Sequence, residues 1–225
     1  MKRFLTAENA SYGHLRLRVQ VFALALAVAL TVAGAPAAAR PLHIVALGDS
    51  LTAGYGLAPG ETFPDALQRA LKARGWDVVV ANAGVSGETA EDGLARYDWS
   101  VPAGTDALIV ELGANDMLRG LDPAAAEASL AQILDKARAA HIATLLAGMR
   151  AIPNFGPDYQ RRFDAIYPDL AKNYGVALYP FFLDGVAGDP TLVQRDGLHP
   201  TREGVEKVAA AILPSVEGVL AEIKP

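Results

Sequence analysis

The stretch LHIVALGDSLTAGYG, residues 42–56, decides how the whole chain is read. Leu42–Leu47 is a short apolar run closed by Gly48, and its length and boundary suit a buried strand. A polar, glycine-punctuated turn follows at once, carrying Asp49, Ser50 and Thr52 before Gly54 and Gly56. Working outward, the same alternation recurs. Phe63–Arg74 sets Phe63, Ala66, Leu67, Ala70 and Leu71 on one helical face and stops at Gly75. Val78–Ala81 is a second strand, closed at Asn82 and Gly84, and Thr89–Tyr97 a short helix. Asp106–Leu112 and Ile142–Ala147 are further strands, separated by a helix over Pro123–Ala140 with proline in its first turn. A helix over Tyr159–Tyr174 precedes a weaker fifth strand, Val176–Tyr179. The closing helix runs from Arg202 to about Ile223, with Thr201 as its cap and Pro214 expected to kink or split it. Strands alternating with helices predict a parallel sheet covered on both faces, one doubly wound α/β domain. Sites in such domains form beyond the carboxyl ends of the strands.

Composition narrows the function. Of 225 residues, 52% are hydrophobic, enough for a full core, and 20% are charged. The formal net charge of -5 disfavours nucleic acid, which needs a basic footprint. The absence of cysteine excludes thiolate chemistry, disulfides and cysteine-based metal sites. The N-terminus reads as a separate object. Lys2, Arg3, Arg16 and Arg18 lead into an apolar run, Val19–Ala33, interrupted by Gln20 and Thr31. The run is shorter than the roughly 20 residues of a spanning helix, and its exit, Ala35–Ala39, fits a cleavage site before Arg40. Residues 1–39 are therefore expected to be an export signal and 40–225 a single domain, in a periplasmic or secreted protein with no membrane span after cleavage.

Four polar loops fall at the strand exits: Gly48–Gly56, Asn82–Thr89, Gly113–Asp116 and, late in the chain, Asp196–Pro200. Histidine is the usual base for activating a serine. His43 lies within the first strand and His141 ends a helix beside apolar residues, whereas His199 sits in a polar loop. Asp196, three residues earlier, can reach its Nδ1 and fix tautomer and orientation. Alone, that spacing describes an ordinary Asp-Gly turn as well. Ser50 is displayed at a strand end, with Ser86 as a rival nucleophile. Oxyanion donors are available in the N–H groups of Ser50 and Gly84 and the side-chain amide of Asn115; a tight turn is the plainer reading of Gly84. Asp49 and Asp116 read as acceptors that shape their loops. A metal-assisted phosphoester reading would use Asp49, Asp116, Asp196 and His199, and a non-catalytic exported binding protein would use the same crevice.

Taken in order, GDSLTAGYG with Ser50, NAGVSGET with Gly84, ELGANDMLRG with Asn115 and DGLHPT with Asp196 and His199 resemble the SGNH (GDSL) hydrolase family. The resemblance spans Leu42 to the closing helix and is strongest to the bacterial thioesterase I, lysophospholipase L1 and arylesterase group. It implies a flavodoxin-like three-layer α/β/α sandwich with a five-stranded parallel sheet in the order 2-1-3-4-5. It also implies hydrolysis of small-molecule acyl esters and thioesters, lipid substrates included, by a Ser50–His199–Asp196 triad without metal or organic cofactor. Removal of acetyl groups from carbohydrate is the alternative activity on the same fold. By the same resemblance Met117–Asp122 borders the acyl pocket. Leu118 and Leu121, with Ile152 and Phe155 from Arg150–Tyr159, are its candidate walls, although ordinary core is the plainer reading of these four.

Overall fold

The strand of residues 42–48 is the second of five. The computed structural model describes residues 40–223, and the expected export signal lies outside them. Along the chain come β1 (Leu42–Gly48), α1 (Ser50–Ala53), α2 (Phe63–Ala73), β2 (Val78–Gly84), α3 (Ala90–Ala95), α4 (Tyr97–Ser100), β3 (Ala107–Glu111), α5 (Ala114–Leu118), α6 (Pro123–Ala139) and β4 (Ala143–Ala147). A one-turn 3-10 helix, Pro153–Phe155, then leads to α7 (Gly156–Tyr174), β5 (Ala177–Tyr179) and α8 (Arg202–Ala221). The sheet order is β2-β1-β3-β4-β5, all parallel. It is the doubly wound order expected, with the chain reversing direction across the sheet at β1 and β3.

Burial follows this order. Every residue of β3 is buried, as a strand covered on both faces must be, while edge strand β2 is largely accessible. One helical layer is formed by α2 and α8, which pack on each other, and the opposite layer by α3, α6 and α7. Phe63 and Phe182 meet edge to face at 4.9 Å in the first layer, and Phe163 and Tyr167 fill the second. Thr62 and Thr89 cap α2 and α3 in reciprocal capping boxes with Asp65 and Asp92.

Four boundaries differ from expectation. β2 runs three residues past Ala81, because Asn82, Ala83 and Gly84 stay in register with Ala46, Leu47 and Gly48. The helix expected over Thr89–Tyr97 is two short ones that meet at Arg96. α7 begins at Gly156, ahead of Tyr159. Pro214 leaves α8 a single helix. It removes one N–H bond, and buried Val208, Ile212, Val216 and Val219 hold the helix on either side of it.

Candidate active site

The carboxyl end of β1 is crowded down to its backbone. A Cβ on Gly48 would stand 2.1 Å from Thr52 Oγ1 and 2.6 Å from Glu111 Oε2, so only glycine fits there. Asp49 caps α1, its Oδ1 accepting from Leu51 N–H at 2.9 Å. Ser50 is the first residue of α1. Its N–H therefore belongs to a helical turn whose donors have no intrahelical acceptor.

Opposite Ser50 lies the loop before α8. His199 Nε2 is 2.8 Å from Ser50 Oγ, and His199 Nδ1 is 2.7 Å from Asp196 Oδ2. The second carboxylate oxygen of Asp196 accepts from the N–H groups of Leu198 at 2.9 Å and His199 at 3.0 Å. These hydrogen bonds, the backbone ones foremost, hold the Asp196 carboxyl down at about 2. Gly197 adopts a positive φ of 74° at the bend between them. The loop is tied down by Gln194, whose Nε2 donates to Tyr55 O at 2.7 Å and Pro200 O at 2.9 Å. The Tyr55 ring lies 4.6 Å from the imidazole.

The oxyanion side requires a correction. Gly84 does not line the cavity at Ser50. Its N–H donates to Asn82 Oδ1 at 2.9 Å, and a Cβ there would stand 2.3 Å from Ala53 N and 2.8 Å from Asp49 O. Gly84 is a spacer that lets β2 press against α1. Gly87, three residues on, has a positive φ of 87° and lines the cavity. Its N–H makes no hydrogen bond among the described residues, and its carbonyl accepts from Arg119. Asn115, in α5, donates from Nδ2 to Asp49 Oδ2 at 3.1 Å and to Glu88 O at 2.9 Å. Rival Ser86 also lines the cavity, but His199 is directed at Ser50.

One buried arginine locks these loops together. Arg96 donates from Nε to the Glu88 carboxylate, from Nη2 to Gly48 O at 2.9 Å and from Nη1 to Ser100 Oγ at 2.9 Å. The residue before Asp49 and the residue after Gly87 are thus held by a single side chain. Sequence reasoning passed over it; an arginine eight residues after Glu88, at a helix break, was the available signal.

Two buried carboxyls lie close to Ser50 and Thr52. Asp49 is fully buried, and burial pushes it up to about 6 against the pull of its hydrogen bonds. Glu111, also fully buried, is pushed well above the usual range, first by burial and then by the charge of Asp49. Its Oε2 accepts from Thr52 Oγ1 at 2.7 Å, and its Oε1 has no partner among the described residues. Asp116, raised by burial, accepts from Ala90 N–H at 2.9 Å. Asp49 and Asp116 therefore shape loops, as expected. Among the described residues no three His, Asp or Glu side chains are grouped so as to hold a metal ion.

The cavity at Ser50 has a volume of about 580 Å³. Met117, Leu118 and Ile152 line it, as expected. Leu121 and Phe155 do not. Both are exposed, and Phe155 packs on Tyr159, its ring centroid 5.1 Å away. Phe181, Leu183 and Leu198, which follow β5 and which sequence reasoning missed, also line it.

Comparison with known proteins agrees with this geometry. Residues 46–207 match the GDSL-like Lipase/Acylhydrolase family. The chain is 39% identical over 185 residues to Esterase TesA of Pseudomonas aeruginosa, covering 82% of this chain and 91% of that protein. It is 39% identical over 167 residues to Thioesterase 1/protease 1/lysophospholipase L1 of Escherichia coli, covering 74% of this chain and 79% of that one. Among solved structures, AlinE4, an SGNH-hydrolase family esterase, superposes with a TM-score of 0.68 at 48% identity, covering 81% of this chain and 98% of that one. A crystal structure of TesA superposes with a TM-score of 0.75 at 35% identity, covering 79% and 99%.

Proposed function

The chain belongs to the GDSL-like lipase/acylhydrolase family and is an ester hydrolase, and on that premise we propose that it cleaves acyl esters and thioesters through a covalent acyl-enzyme on Ser50. The observation that carries this reading is the continuous relay from Ser50 Oγ through His199 to Asp196, with contacts of 2.8 and 2.7 Å. His199 Nε2 takes the hydroxyl proton as Ser50 Oγ attacks the acyl carbonyl. Asp196, ionised and fixed by two backbone N–H groups, orients the ring and stabilises the imidazolium. The carbonyl oxygen, now negative, receives the N–H groups of Ser50 and Gly87 and one N–H of Asn115, which gives up its bond to Asp49 or Glu88. Gly87 takes the role first expected of Gly84. The tetrahedral adduct collapses as His199 passes its proton to the leaving alcohol or thiol. A water deprotonated by His199 then attacks the acyl-enzyme, releasing the carboxylic acid and returning the proton to Ser50.

The apolar walls suit acyl chains longer than acetyl, which favours lipid-like or aryl esters over acetylated carbohydrate. Residues 1–39 direct export in this reading, and fractionation of cells making the full chain tests that part. Labelling with a fluorophosphonate probe, with Ser50→Ala alongside, tests the chemistry. Label on the wild type and none on the variant is expected. Label persisting on folded Ser50→Ala would move the nucleophile to Ser86 or elsewhere. No label on either would leave the binding-protein and metal-assisted readings standing, and metal analysis would then decide between them.

A further inference from the structure

Arg150 is the third residue after β4 and lines the cavity with Met149 and Ile152. Among the described residues it is the only lysine or arginine that does so. The other ionisable groups at the wall with a role assigned above, Asp49 and His199, are bound into the apparatus around Ser50. Arg150 has no hydrogen bond or ion pair among the described residues. Its guanidinium lies over the Phe181 ring, 5.2 Å from the centroid. Stacking engages the face of the guanidinium and leaves its N–H edge available.

A guanidinium keeps its charge at every working pH, and Arg150 is exposed, so its unpaired N–H edge is open to an anion that arrives with the substrate. If the acyl chain occupies Met117, Leu118 and Ile152, it brings no charge. An anion that meets Arg150 would then belong to the leaving group. The planar N–H fork matches the oxygens of a phosphate, and a local cation is needed because the chain as a whole carries a net charge of -5. Resting on the ester-hydrolase reading above, we infer that Arg150 is a specificity-determining residue that receives a phosphate group of the leaving group. Two sources share this chemistry: the phosphates of a thioester's carrier thiol and the head group of a lysophospholipid.

The test compares kcat/KM for matched pairs that differ in phosphate. One pair is an acyl-coenzyme A and the same acyl thioester of pantetheine; the other is a lysophosphatidylglycerol and the corresponding monoacylglycerol. Wild type, Arg150→Lys, Arg150→Met and Arg150→Glu are assayed, with a p-nitrophenyl ester of the same chain as reference. In Arg150→Met the ratio of phosphate-bearing to phosphate-free kcat/KM should fall about tenfold, chiefly through KM. It should fall further in Arg150→Glu and recover partly in Arg150→Lys. Added salt should shrink the wild-type ratio. A fall confined to the thioester pair identifies the carrier, and one confined to the lipid pair identifies the head group. An unchanged ratio, with all substrates slowed alike, would reduce Arg150 to packing on Phe181 and overturn the assignment. Failure of the wild type to cleave the p-nitrophenyl ester would overturn the hydrolase reading itself, an outcome distinct from an unchanged ratio.

Discussion

The two halves of the Ser50–His199 pair are built in opposite ways. The serine half sits on the end of a central strand, above fully buried Asp49 and Glu111 and locked by buried Arg96. The histidine half is a surface loop in which Asp196 is about a third exposed by its side chain, 36% against 19% for His199. Its geometry comes from local bonds, the two N–H donors to Asp196 and the two carbonyls held by Gln194. Position on the serine side is therefore inseparable from global stability, whereas position on the histidine side can be lost with the fold intact.

Breaking the loop side should separate activity from stability most sharply. Asp196→Ala should lower kcat about 10⁴-fold with little change in the thermal unfolding midpoint, read by steady-state kinetics and a melting curve on one preparation. On the buried side, Arg96→Met should cost about 3–5 kcal/mol in urea unfolding by stranding Glu88. Adding Glu88→Gln should restore part of that loss. Asn115→Ala should reduce kcat about 10²–10³-fold with KM little altered, as expected for a donor used in the transition state. Gln194→Ala should lower stability by about 1 kcal/mol and slow turnover several-fold; equal turnover would mean that Asp196 fixes the loop unaided.

Glu111→Gln sharpens the contrast through pH. The folded carboxyl keeps its proton to higher pH than the unfolded one. Over that interval the folded state binds more protons, so wild-type stability falls as pH rises. Glutamine lacks this loss. Denaturation at pH 5 and pH 8 should show the variant gaining on the wild type at pH 8, and the reverse order would place a charged Glu111 in the fold.

Most of the fold is legible because the interior strands are short apolar runs closed by glycine or polar residues, as Leu42–Leu47 and Ala107–Glu111 show. β2 was read short because Asn82, Ala83 and Gly84 are poor strand formers; it is the ladder to β1 that carries them on. The grouping of Ser50, His199 and Asp196 is legible because His199 lies in a polar loop with an aspartate three residues before it. That Gly87 and not Gly84 reaches the cavity is not legible, because both stand in one turn-like segment and only the register of β2 tells a spacer from a residue open to the cavity. Phe181 and Leu183 were invisible for a different reason. Their position depends on the path of a non-repeating segment between β5 and α8, which no periodicity describes.

The separation of 149 positions between Ser50 and His199 also sets a schedule. A growing chain emerges with its serine first, and at about 5–20 residues per second the imidazole follows many seconds later. On the proposed mechanism the serine has no base through that interval, and a chain that stops short of residue 199 should be chemically silent. On that mechanism, esterase activity in this molecule would signal that synthesis has passed residue 199 and that the last helix has come home.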